Sequence, residues 1–127
     1  LMGKHMEASL LLGLMQIQMQ MKLYHWQTFS HARHRSTDDF VHNFSKLVDQ
    51  FVETFQGRYG RYKLSNGVDT IRLRNLCDNT QEPERFLHGA RSLLEEMQVG
   101  DEDYDLLNIR DEMLAQVNQL LYLFTLS

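Results

Sequence analysis

Between Ser36 and Gln56 the chain sets Phe40, Phe44, Phe51 and Phe55 on one side of a predicted helix and Asp38, His42, Ser45, Asp49 and Glu53 on another. At 100° per residue the five polar positions fall within a wedge of roughly 80°, about 150° from the phenylalanines. Such a segment cannot stand alone. Its aromatic stripe requires a core supplied by other helices, and its polar stripe turns away from that core. Any site built on the polar stripe needs a second surface to close it.

The rest of the chain can supply the helices. Leu10, Leu14, Ile17, Met21 and Tyr24 recur on one face between Met6 and Gln27. The run from Met15 to Lys22 also alternates like a strand, but methionine, glutamine and leucine favour helix and the length exceeds a usual strand. Ser36 with Asp39 reads as the cap of the second helix, which stops at Gly57. From Gly57 to Thr80 the pattern breaks into glycines, a Ser65-Asn66-Gly67 turn signal and a short apolar stretch at Ile71, Leu73 and Leu76. This is a long crossover with room for one short helix. Pro83 opens a third helix with Phe86, Leu87, Ala90, Leu93, Leu94 and Met97 on its apolar side. Asp101 or Asp103 caps a fourth, with Leu106, Ile109, Met113, Val117, Leu120 and Phe124.

The predicted helices lie near 6–28, 36–56, 82–98 and 102–125. The fold class is therefore all-α, with the layout of a ferritin-like four-helix bundle that has one long crossover between helices 2 and 3, in a single domain over residues 1–127.

A composition of 43% hydrophobic and 24% charged residues excludes a disordered chain. No apolar run is long enough for a bilayer, and the N-terminal LMGKHM has no basic segment feeding a continuous apolar one, so no signal peptide is expected. A cytoplasmic location follows as the expectation. Cys77 is the sole cysteine, which excludes a disulfide within the chain. The net charge of −4 argues against nucleic acid as the main partner, because phosphate backbones require clustered Lys and Arg.

A charged stripe on an amphipathic helix is ordinarily a solvated face. What favours a metal here is the kind of charge. Like charges at i,i+4 cost a helix roughly 0.2–0.5 kcal/mol, and the stripe is read as carrying no Lys or Arg of its own helix to relieve Asp49 and Glu53. A cation relieves them. Histidines at 25, 31, 34 and 42 add imidazole to carboxylate, a donor set suited to iron, zinc or manganese rather than calcium or magnesium.

His34, Asp38, Asp49 and Glu53 form H-x3-D-x10-D-x3-E, preceded by the His25-Trp26 pair. This resembles the ferroxidase-site pattern of the Dps proteins, the small ferritin-like cages, and the stretch from Gly100 to Phe124 resembles that family's last helix. The resemblance implies ferrous iron bound between two subunits, oxidised by peroxide or dioxygen, and stored as ferric mineral in a twelve-subunit shell. It implies His25, His34 and Asp38 as ligands from one subunit and Asp49 and Glu53 from its two-fold mate. Trp26 would be the aromatic that takes up an oxidising equivalent.

The segment from His25 to His34 is shorter than the Dps pattern, which leaves His31 and His42 as alternatives or additions to His34. The lysine-rich tail of many Dps proteins is missing, with Lys4 alone before the first helix, and this argues against DNA binding through an N-terminal tail. The segments KLYHWQTFSHARH and DQFVETFQGRYGR also resemble uncharacterised ferritin-like proteins of large DNA viruses, which would place the protein in a virion or an infected cell's cytoplasm.

Other features carry blander expectations. Trp26 as ordinary core is the commoner fate of a tryptophan. Arg58, Arg61, Lys63, Arg72 and Arg74 interleave with Tyr59 and Tyr62 in the crossover, as in acidic or nucleic-acid contacts, but a solvated loop or ion pairing between subunits is the simpler reading. The seven methionines read as helix-core or interface filler. His5 and His88 have no evident partner. Two functions remain: an iron-oxidising, iron-sequestering homo-oligomer, at least a two-fold dimer, that protects against oxidative damage; or a non-catalytic helical homodimer serving as a structural, virion or assembly component.

Overall fold

In a computed structural model, which describes residues 4–127 and side chains from residue 9 onward, four helices follow one another: α1 Lys4–Gln27, α2 His31–Tyr59, α3 Glu82–Glu95 and α4 Tyr104–Phe124. No strand occurs among the described residues. The alternating Met-Gln run therefore lies inside a helix. Helix α1 packs on α2 and α3, and α4 also packs on α2 and α3, so α1 and α4 face each other diagonally across the bundle.

The core forms where the periodicity places it. Leu14, Met21, Phe44, Phe51, Leu87, Leu94, Met113 and Val117 are fully buried, each large apolar side chain contributing about 1.5–3 kcal/mol by leaving water. All four phenylalanines of α2 are buried. Tyr24 and Phe124 meet edge-on across the diagonal, with ring centroids 5.9 Å apart.

Helix α2 begins five residues before Ser36. Its cap is Ser30, extended at φ −88° and ψ 121°, whose hydroxyl accepts from the Arg33 N–H at 3.1 Å. A side chain that satisfies an early helical N–H decides the start, and Ser36 instead donates its hydroxyl to the Arg33 carbonyl inside the helix. The other end runs past Gly57 to Tyr59 and stops at Gly60, whose φ of +88° is open to glycine but strained for other residues. Pro83 occupies the first turn of α3. Asp103 stands at the cap position of α4 without a side-chain cap bond; its carboxylate instead accepts from the Gly100 N–H at 2.8 Å and the Tyr59 hydroxyl, and pairs with Arg58 at 3.1 Å.

The segment 60–81 joins α2 to α3 and forms turns but no helix. It is bound along α1 by glutamines. Gln16 donates to the Arg72 carbonyl at 3.0 Å, and Gln27 to the Asn75 side chain at 2.6 Å. The Gln20 amide makes a two-way pair, donating to the Arg74 carbonyl at 2.7 Å and accepting from the Arg74 N–H at 3.1 Å. Gln20 is only 1% exposed, and a buried amide requires such partners. Gln16 and Gln20 of the Met-Gln alternation thus serve the crossover, whereas Gln18 donates to the Leu14 carbonyl of its own helix.

Candidate functional site

The corner between α1 and α2 spans residues 28–30 and is held by short-range bonds. Thr28 N–H donates to the Tyr24 carbonyl at 2.9 Å, and Ser30 N–H to the Thr28 hydroxyl at 3.1 Å. This tight reversal lays His25, near the end of α1, against His34, in the first turn of α2. Their rings stack 3.9 Å apart at 18°. His25 Nδ1 lies 2.7 Å from the His34 carbonyl, and His34 Nδ1 lies 2.8 Å from the His25 carbonyl.

A carbonyl oxygen only accepts, so both Nδ1 atoms carry hydrogen. In each neutral ring the lone pair is then on Nε2. Metal-binding histidines are commonly oriented this way, with the second ring nitrogen donating to a carbonyl. Thr37 Oγ1, 3.1 Å from His25 Nδ1, adds a second oxygen to the buried ring's support. The Asp38 carboxylate lies 3.9 Å from His25 Nε2. That is long for an ion pair, yet two donors each about 2.0–2.2 Å from one ion can lie about 4 Å apart.

The remaining candidates sit elsewhere on α2. Asp38, His42, Ser45 and Asp49 line a shallow groove of about 330 Å³ together with Val41, Lys22 and Lys46. Glu53 is exposed beyond it. Asp38 and Asp49 are eleven residues apart on one helix, a rise of about 16 Å, so one copy of α2 cannot bring both carboxylates to one ion. Among the described residues no three His, Cys, Asp or Glu side chains converge on one metal position. Lys46 of α2 and Lys22 of α1 both line the groove beside Asp38 and Asp49, and neither forms an ion pair with Asp49 or Glu53 among the described residues.

Trp26 is 66% exposed rather than core, with Lys22 Nζ 5.4 Å from its ring centroid. Met15, Met19 and Phe29 are exposed as well, Phe29 at 99%. His31 is exposed and His42 lies in the groove. His88 has a partner after all, since its Nδ1 accepts from Arg91 Nη2 at 2.8 Å. The side chain of His5 lies outside the described residues.

Behind the histidine pair lies a polar network with no obvious sequence signal. Arg33, 8% exposed, donates to the Tyr24 hydroxyl at 2.8 Å, pairs with Glu84 at 3.0 Å and lies over the Phe124 ring at 4.3 Å. Asp78 accepts from the Tyr24 hydroxyl at 2.5 Å, the Phe29 N–H at 2.7 Å and the Thr28 hydroxyl at 2.8 Å. Burial pushes the Asp78 carboxyl up, but these donors and the Arg33 charge outweigh it and hold the group below its ordinary value. Burial, then the bond to Asp78, pushes the Tyr24 phenol above its own. The network anchors both the corner and the crossover, and so fixes where His25 and His34 stand.

Residues 25–124 match the model of a family described as "Family of unknown function (DUF5856)". No curated protein and no solved structure matches the chain. The family match spans more than half of the sequence, and the chain belongs to that family.

Proposed function

We propose that this member of the DUF5856 family binds ferrous iron at a seam between two copies and oxidises it there. His25, His34 and Asp38 of one copy would face Asp49 and Glu53 of the mate. The observation that carries this reading is the reciprocal Nδ1-to-carbonyl pair, which leaves two Nε2 lone pairs at one corner, one of them beside a carboxylate. The sequence resemblance to Dps proteins supports it, as does the arrangement of four helices with a long second connection, the layout of a ferritin-like bundle. The exposed Met15, Met19, Trp26 and Phe29 of the α1 end and the corner supply apolar surface for a mate.

Iron is the substrate in this scheme. Two ferrous ions give one electron each to a peroxide, whose O–O bond breaks, or successive electrons pass to dioxygen. Carboxylates from Asp38, Asp49 and Glu53 hold the harder ferric product, and the imidazoles retain affinity for the ferrous ion. Trp26 beside His25 would accept a stray oxidising equivalent. Zinc or manganese suits the same donors. Ferric product would be sequestered in a larger homo-oligomer, a twelve-subunit shell being the Dps precedent, in the cytoplasm of a cell or of an infected host.

The second reading is a non-catalytic helical dimer acting as a structural or virion component. Lys22 and Lys46 favour it, because both line the acidic groove and place positive charge there without a metal. Ferrous iron plus peroxide, followed by ferric absorbance, separates the two. Protein-dependent oxidation that falls in Glu53→Gln supports the seam, whereas oxidation at the protein-free rate supports the structural dimer. A monomer by light scattering at micromolar concentration overturns both.

A further inference from the structure

A second groove lies away from the histidines. It is an open groove of about 810 Å³ between α1, α3 and the crossover. Its volume falls in the range of small-ligand pockets, roughly 300–1,000 Å³. Leu12, Ile17, Ile71, Phe86 and Leu93 give it apolar walls.

Two observations indicate an occupant. The first is Gly89, inside α3 and on the groove wall, where a Cβ would meet no atom of this chain within 4 Å. Glycine weakens a helix interior, and here the chain's own packing does not require it. Gly13, across the groove, differs: a Cβ there would meet Leu93 at 2.6 Å. The second is charge. Arg72, Arg74 and Arg85 all line the groove, and none has an ion pair among the described residues. Arg72 and Arg74 belong to the stretch pinned by Gln16 and Gln20, so their backbone is already ordered.

We propose that this groove binds a single-chain anionic amphiphile, with the acyl chain along Leu12, Ile17, Phe86 and Leu93 and the carboxylate at Arg72, Arg74 and Arg85. An apolar wall with three guanidinium groups that make no ion pair among the described residues matches a long-chain carboxylate better than a neutral lipid, because the charged head finds donors and the chain leaves water. The bare Gly89 position leaves room for the chain to lie against the helix backbone.

The test uses the full chain and dansylamino-undecanoic acid, read by fluorescence, with dodecanoate and dodecanol as competitors. Saturable one-to-one binding is expected, displaced by dodecanoate at least tenfold more effectively than by dodecanol. Gly89→Leu fills the groove and should abolish binding with the thermal melt at or above the parent's. Arg85→Gln should weaken binding about tenfold, and it remains decisive if the leucine variant fails to fold. Absence of saturable binding in the parent, equal displacement by the alcohol, or parent-like binding in folded Gly89→Leu and Arg85→Gln overturns the proposal. A Gly89→Leu variant that retains probe binding but changes oligomeric state would assign the groove to a protein contact instead.

Discussion

The phenol of Tyr24 and the carboxylate of Asp78 hydrogen-bond at 2.5 Å across 54 positions of sequence. This bond joins the end of α1 to the end of the crossover, beside the corner that orients His25 and His34. Asp78→Ala deletes the acceptor of three hydrogen bonds and should cost about 2–3 kcal/mol, read from urea midpoints. Asp78→Asn should cost less.

The same pair sets a pH signature. The folded state holds the Asp78 carboxyl below its ordinary value of 3.8, so its contribution to stability is fully present above that pH and is lost as pH falls through the lowered folded value. Tyr24 is held above its ordinary 10.0. Its contribution is present below pH 10 and is lost as pH rises through the raised folded value. Urea midpoints against pH should show both limbs, and Asp78→Asn should flatten the acid limb. An unchanged acid limb in that variant would remove Asp78 from the account.

Arg33 spans the bundle diagonal from α2 to Glu84 of α3, with side-chain exposures of 10% and 20%. Arg33→Met leaves Glu84 without its cation, and a loss of about 3 kcal/mol is expected by thermal or urea denaturation. Adding Glu84→Gln should recover part of it. A double variant less stable than Arg33→Met would argue that the two side chains are not coupled.

At the corner, His34→Ala removes an exposed ring and should spare the fold while weakening cobalt(II) binding, followed by the visible spectrum of the bound ion. Thr37→Val removes an oxygen beside His25 Nδ1 and should weaken binding about tenfold without deleting a ligand. Equal cobalt affinities in the parent and both variants would shift the metal away from this corner.

The apolar period of 3.6 made the four helices legible, and their stripes are the buried faces observed: Leu14 and Met21, Phe44 and Phe51, Leu87 and Leu94, Met113 and Val117. The start of α2 was not legible. Ser30 and Ser36 are both competent caps, and what favours Ser30 is the reversal after Gln27, set by Thr28 and Asp78 from a distant part of the chain. The stacking of His25 on His34 depends on that same reversal. Buried Gln20 and Arg33 were hidden because their partners are distant in sequence: Gln20 meets irregular backbone at Arg74, and Arg33 meets Tyr24, Glu84 and Phe124 on three other helices, so neither leaves a periodic trace. Lys46, which also lines the groove, lies at the edge of the polar wedge, 20° beyond Glu53 by helical count.

The two-way pairing of Gln20 with Arg74 has a consequence for how the chain reaches this state. The Gln20 amide, sealed inside α1, finds its donor and acceptor only in backbone that is made much later. Gln20 lines the groove between α1, α3 and the crossover, so the segment that satisfies the amide is also the one that covers it, and the cost of closing the intervening loop must be met before that pair of bonds forms. Docking of the crossover should therefore be read directly in hydrogen exchange as protection of the Arg74 N–H, which Gln20→Ala should remove.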